Sequence, residues 1–258
     1  MTLQDPSRFR QGHRATSHEI SYRQQAETYI ANGVGSFCEK MENFPKYVSR
    51  QSLSRYLALY EIFKEALPVH GSMVECGVNW GGGLMLLAHL SSILEPVNIQ
   101  RKIIGFDTFA GFPTIDQADT SGAHLNTELQ QGGYAANSYD DLNECIDLYD
   151  RNRFIGHLPK VELVKGDACV EIPKYLEREP HTVVSLLHLD FDIYAPTKAA
   201  IEHFVPRMPK GGIIVFDELN NKSWPGETVA VLESLNINQL EIKRFPFEPH
   251  VSYAKIGA

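Results

Sequence analysis

Residues 74–83 read VECGVNWGGG: an apolar start, an acid, and four glycines, Gly77, Gly81, Gly82 and Gly83, within seven positions. One or two glycines satisfy a turn that needs positive φ. Four require something close to the chain, either another backbone or a ligand. The residues that follow, GGLMLLAHLSSIL, are helix-forming and stop at Pro96, so the stretch reads as strand, bare turn, helix.

The same alternation continues downstream. RKIIGFDTF, KVELVKGD, TVVSLLHLDFD and GGIIVFDEL are short apolar runs, and among the helical segments between them are ACVEIPKYLERE, interrupted or started at Pro173, and PTKAAIEHFVPRM. Strands of this kind predict a mostly parallel sheet covered on both faces. The tail breaks the rhythm. QLEIKRFPF and HVSYAKIG have no helix between them, and a Glu248-Pro249 turn is expected to join them as an antiparallel hairpin, completing a seven-stranded α/β sheet. Upstream, residues 17–32 and 49–66 are expected helices, the second carrying Leu53, Tyr56, Leu57, Tyr60 and Phe63 at helical spacing. The expected organisation is a single domain. Residues 1–66 form a polar tail and helical segment packed on the core, and residues 67–258 form the sheet domain. Within it, residues 113–159 lack strand character and exceed a plain connector, which predicts a lid.

Composition narrows the function. The 258 residues are 43% hydrophobic and 22% charged, as in a globular protein, and the formal charge of -8 with dispersed basic residues argues against a nucleic-acid surface. No run approaches the roughly 18 apolar residues of a membrane span, and the polar amino terminus lacks the apolar core of a signal peptide. The four cysteines have no C-x-x-C spacing, so reduced thiols and a cytoplasmic location are expected.

The acids carry more. In an open parallel sheet, ligands gather beyond the carboxyl ends of the strands. There this chain places Glu75, Asp107, Asp167, Asp190 with Asp192, and Asp217 with Glu218. Any one of them fits a helix cap or turn as well as a site; five strand ends in succession fit a crevice better. G-x-x-x-G-G-G is a poor match to the dinucleotide pattern G-x-G-x-x-G, and no Lys-Ser or Lys-Thr makes it a P-loop. S-adenosylmethionine carries no phosphate. Its positive ammonium and sulfonium suit Glu75, its ribose diol suits Asp107 at the end of the second strand, and Asp167 stands where the adenine would lie.

Four segments resemble the macrocin O-methyltransferase-like sugar methyltransferases, which use S-adenosylmethionine and a divalent metal. They are VECGVNWGGGLM, GFDTFAGFP, LDFDIYAPT and PKGGIIVFDELNNKSWPGETVAVLE, in the family's order and within residues 71–233. The resemblance implies a Rossmann-like methyltransferase fold and cofactor contacts at Glu75, Gly77, Asn79, Gly82, Asp107, Thr108, Asp167 and Ala168. It also implies a homo-oligomer and a sugar hydroxyl as acceptor, on an antibiotic-type glycoside or a nucleotide sugar. This chain departs from the family pattern at Asn79 and Trp80, which stand for Trp and Arg, at Ala168, which follows Gly166-Asp167 where an aromatic is usual, and at Glu218, which stands for the second acid of an Asp pair.

The metal follows from the residues as well. Asp190 ends the fourth strand and Asp217 with Glu218 the fifth, about 5 Å apart if the two are neighbours. Three carboxylates that close repel unless protonated or shared with a cation, and a hard ion such as magnesium is the simplest remedy. The resemblance makes Asp190 the general base, ahead of Asp192 and His188. Trp224 is weighed as a turn residue and as an acceptor-stacking one. Three other readings stand beside this. The first is a catechol-like phenol acceptor. The second is an iron oxygenase built on His188 and Asp190 with a distal His203 or His250. The third is a nucleoside-binding module without activity.

Overall fold

The computed structural model describes residues 16–121 and 126–257. The expected polar tail, residues 1–15, lies outside them. The chain divides into two compact units, Met1–Ser54 and Arg55–Ala258.

The first unit holds helices α1 (Ser17–Asn32) and α2 (Phe37–Glu42) and the start of α3 (Arg50–Ala66). Each of the first two opens with a capping box. Thr16 with Glu19, and Ser36 with Glu39, exchange side-chain and backbone hydrogen bonds that satisfy amides the helix leaves open. The second box, an S-x-x-E at 36–39, is the sequence signal for a helix that hydrophobic spacing alone did not give. No described residue of α1 is buried. In α2 the buried residue is Lys40, whose ammonium donates to the Ile30 carbonyl at 2.7 Å.

The second unit begins inside α3, where Leu59, Ile62, Phe63 and Ala66 recur at three- and four-residue spacing and are fully buried. Each of the three large side chains contributes roughly 1.5–3 kcal/mol on burial. The sheet follows in the order β3-β2-β1-β4-β5-β7-β6, with β1 Ser72–Cys76, β2 Ile103–Asp107, β3 Val161–Lys165, β4 Val184–Leu189, β5 Ile213–Phe216, β6 Lys243–Phe245 and β7 Glu248–Lys255. The first five are mutually parallel, and β7 is antiparallel to both β5 and β6. The hairpin turn is Pro246-Phe247, not Glu248-Pro249. Glu248 belongs to β7, and its carboxylate accepts from the His250 and Val251 amides.

Side-chain alternation sorts the strands onto two cores. Met73, Ile103, Leu186, Ile213 and Val215 pack with α3, with α4 (Gly82–Leu94) and with α6 (Tyr139–Arg151). Val74, Cys76, Ile104, Phe106, Leu187, Leu189, Ile214 and Phe216 pack with α7 (Ala168–Arg178), α8 (Tyr194–Phe204) and α9 (Pro225–Ser234). Pro173 neither starts nor interrupts α7. The helix begins at Ala168, capped by Asp167, and runs through the proline, forgoing one ladder bond.

The segment expected as a lid divides. Its second part is α6, the helix between β2 and β3, with Leu142, Ile146 and Tyr149 buried in the first core. Residues 122–125 lie outside the described ones. The part before α6 is pinned in two ways. Asp119, on the short helix α5 (Gln117–Thr120), accepts from the Tyr194 amide at 2.7 Å. Trp224, 1% exposed, sits edge-on to Phe112 and Tyr134 at ring separations of 5.8 and 5.4 Å. A tryptophan so enclosed anchors this segment, and the acceptor-stacking reading for it is set aside.

Candidate active site

The strand order changes direction between β1 and β4, and open parallel sheets form their crevice beyond the strand ends at such a point. The glycine loop and most of the acids meet there.

Three of the four glycines answer to protein. A Cβ on Gly77, at φ 102°, would lie 1.9 Å from the Asp190 carbonyl oxygen. One on Gly81 would lie 2.2 Å from Leu142, and one on Gly83 2.0 Å from a carboxylate oxygen of Glu75. Gly82 alone opens on space, its nearest neighbour being the Tyr56 hydroxyl at 3.5 Å. Backbone and side-chain packing account for most of the bareness. The remainder faces the start of α4, whose first turn is capped by no side chain, an arrangement suited to an anionic group.

Asp107 organises the loop. Its Oδ2 accepts from the Val78 and Asn79 amides, both at 2.8 Å, and its Oδ1 from the Phe109 amide at 2.7 Å. Asn79 is held at φ 52°, and its side-chain oxygen is buried without a partner. Its neighbour Trp80 is 71% exposed. Thr108 is engaged in its own turn, donating to the Gly111 carbonyl and accepting from the Ala110 amide. Asp167 caps α7 through the Cys169 amide, and Ala168 is buried beside it. Asp107 and the loop are thus brought together directly. Asp167 is tied to them through the Gly166 amide, which donates to the Asp107 carbonyl.

The charged row follows from register. Glu75 pairs with His188 across β1 and β4, and His188 with Val215 across β4 and β5. Asp190 and Asp217 lie two residues beyond, so period-two alternation puts all four on the α3 face. His188, fully buried, has Nδ1 3.3 Å from Glu75 and Nε2 3.6 Å from Asp217, as charge contacts lacking hydrogen-bond alignment. Burial opposes its charge, yet Asp217 and Glu75 outweigh burial and lift its pKa to about 9. Asp217 shows the reverse. Burial would raise its carboxyl, but Arg55 and His188 hold it well below the usual range. Arg55, from α3, closes the row with a fork: one terminal nitrogen lies 2.5 Å from Asp217 and the other 2.8 Å from Asp190. No feature of the sequence pattern singled this arginine out, because its helix is distant along the chain.

Glu218 has the opposite parity. Its amide donates to Glu227, a fully buried carboxyl of α9, and its carboxylate accepts from the Asn221 side chain. Burial and the nearby Asp217 raise it to about 8. Asp192, at φ 65°, does not cap α8, which starts at Tyr194 without a side-chain cap.

Ligand atoms of Glu75, His188 and Asp190 lie within 4.8 Å of one another. Flanked by the Glu75 and Asp217 carboxylates, His188 reads as an internal cation. The iron-oxygenase reading fails on this and on the fold, a mostly parallel sheet with no second histidine in that group. Of the three carboxylates expected to hold a metal, Asp190, Asp217 and Glu218, only Asp190 belongs to that group. Asp190 and Asp217 share the Arg55 guanidinium, and burial and then Asp217 push the Glu218 carboxyl up.

Comparison with known proteins gives a family and a fold. The profile described as macrocin-O-methyltransferase (TylF) matches residues 49–239. A solved structure of CalS11, a calicheamicin methyltransferase, superposes with TM-score 0.90 at 32% identity, covering 99% of this chain and 98% of that one. The apo structure of CalS11, described as a TDP-rhamnose 3'-O-methyltransferase, gives 0.81 at 31% identity over 95% and 97%. The O-methyltransferase NovP gives 0.58 at 18% identity over 78% and 79%, a likeness of fold. No curated protein matches by sequence. Among the described residues, no helix is long and apolar enough to cross a membrane.

Proposed function

The chain belongs to the macrocin O-methyltransferase family and is an O-methyltransferase, and from that premise we propose that it methylates a sugar hydroxyl, using S-adenosylmethionine and a divalent ion. The observation that carries the reading is the pair Asp190 and Asp217, held on one cation at the strand ends beside the glycine loop.

The loop and α4 receive the cofactor. Asp107 fixes the Val78 and Asn79 amides, and its remaining acceptor capacity serves the ribose. The start of α4 receives the carboxylate of the methionine moiety, Gly82 leaving the approach open. The unpartnered Glu75 and Asn79 oxygens supply acceptors at this end of the crevice. Thr108, Asp167 and Ala168 frame the adenine side.

Asp190, Asp217 and Glu218 would hold a magnesium-like ion, which when bound supplies Lewis-acid polarisation of the acceptor hydroxyl. Asp190 is the residue we assign to take the hydroxyl proton. His188 keeps Asp217 ionised and its orientation fixed, and the sheet carries the whole group rigidly, as in-line transfer requires. The likeness to CalS11 over nearly the full length of both chains favours a nucleotide-linked deoxysugar as acceptor.

The test is methyl transfer from S-adenosylmethionine to TDP-rhamnose, with magnesium and with excess chelator. Product that forms only with metal supports the proposal. Product at equal rate in chelator would remove the metal, and transfer only to a catechol would remove the sugar.

A further inference from the structure

Arg55 is placed where the proposed ion must go. Its two terminal nitrogens take one oxygen from each of Asp190 and Asp217, at 2.8 and 2.5 Å. An octahedral ion shared by the same pair needs those oxygens at about 2.0–2.1 Å, inside the space the guanidinium fills. Two cations cannot occupy one mouth between two acids.

We propose that Arg55 is the resident counter-cation of this site and exchanges with the divalent ion, so that metal entry and release of the guanidinium are one event. The proposal rests on the metal-dependent reading above. Three observations support it beyond the distances. The Arg55 side chain is 23% exposed, so solvent borders the fork and gives it a way out. The acids cannot be left bare: Asp217 is 7% exposed and the neighbouring Glu218 8%. His188 meanwhile contacts the same Asp217 oxygen from within the sheet, so the guanidinium is the one cation of the pair that can leave without unfolding a strand. A forked, pre-organised arginine holds two carboxylates together while screening their repulsion. The same residue then limits metal affinity, because each ion bound must displace a charge-assisted pair.

The experiment uses the full chain saturated with S-adenosylhomocysteine. Free manganese is followed by electron paramagnetic resonance for wild type, Arg55→Met and Arg55→Lys. Separately, phenylglyoxal modification of Arg55 in the wild type is quantified by mass spectrometry with and without saturating magnesium. The expected results are at least tenfold tighter manganese binding in Arg55→Met, an intermediate gain in Arg55→Lys, and at least threefold more Arg55 modification with magnesium than without. Should Arg55→Met fail to fold, Arg55→Lys and wild-type labelling decide. Equal manganese affinity across the folded proteins, or an Arg55 as protected with magnesium as without, overturns the exchange while leaving the metal site standing. No manganese binding in any of the proteins overturns both the metal site and the exchange built on it.

Discussion

Gly77 and Asp190 touch through their backbones: the space a Cβ would need at Gly77 is taken by the Asp190 carbonyl oxygen, 1.9 Å away. The Asp190 amide in turn donates to the Cys76 carbonyl at 2.8 Å. The end of β4 is therefore moulded onto the start of the glycine loop. Gly77→Ala meets both this clash and an unfavourable φ, and should cost roughly 2–4 kcal/mol of stability. It should also shift Asp190, lowering kcat more than it weakens cofactor binding. Chemical denaturation and steady-state kinetics check both; a stable variant with unchanged kcat would mean the contact has no part in placing Asp190.

Asp107 holds three amides with one carboxylate. Charge-assisted bonds of this kind are worth about 1.5–3 kcal/mol each, and part of that is recovered from water once the side chain is gone. Calorimetric titration of S-adenosylhomocysteine should give a loss of affinity of roughly a hundredfold in Asp107→Ala. Asp107→Asn keeps one acceptor oxygen and should fall between. Undiminished affinity in the alanine variant would remove the cofactor site from this loop.

Trp224 is enclosed by Phe112, Ile193 and Tyr134. Trp224→Ala should lose about 3–5 kcal/mol, the range for emptying a buried aromatic position, and Trp224→Phe less. Limited proteolysis should then cut first within residues 113–138, the segment this side chain anchors. Cleavage elsewhere, with 113–138 still protected, would mean that Asp119 alone suffices to hold it.

Lys160 gives the molecule a pH signature away from the site. It is 5% exposed, donates to the Asn98 carbonyl at 2.8 Å, and is pushed down to about 8 by burial, with Arg101 and Arg153 adding to the effect against Glu95. Between about 8 and the ordinary lysine value of about 10.4 the unfolded chain binds more protons than the folded one. The lysine's contribution to stability therefore rises with pH across that window. Below it, Lys160→Met should be the more stable protein relative to wild type, and the gap should close by pH 10. Thermal denaturation of the two proteins from pH 7 to 10 reads it directly, and a constant gap would contradict the assignment.

Much of this fold was readable because period and punctuation agree. The apolar runs ending in acids are strands, and their carboxylates come to the crevice at the change of strand order. What escaped had weak local signals. Helix α6 is rich in acids, and Leu142, Ile146 and Tyr149 form a narrow stripe that burial turns into a core face. The hairpin turn was misplaced by two residues because Glu-Pro looks like a turn pair, while here Glu248 serves as a strand residue that bonds its own backbone. The glycines were correctly read as marking a close approach, but Gly77 owes its bareness to β4, which lies over a hundred residues away in the chain. Arg55 is the same case in stronger form. One-dimensional patterns show which faces are apolar, and they do not show which distant charge will be laid against an acidic pair.

The chain has two tryptophans, and the fold gives them opposite surroundings: Trp80 stands in solvent on the glycine loop, and Trp224 is sealed in an aromatic cluster. The molecule thus contains two emitters of different colour, a red-shifted one on the glycine loop and a blue-shifted one reporting on the packed segment. Quenching confined to the long-wavelength component on adding S-adenosylhomocysteine, and abolished in Trp80→Phe, would turn occupancy of the crevice into an optical reading without any label.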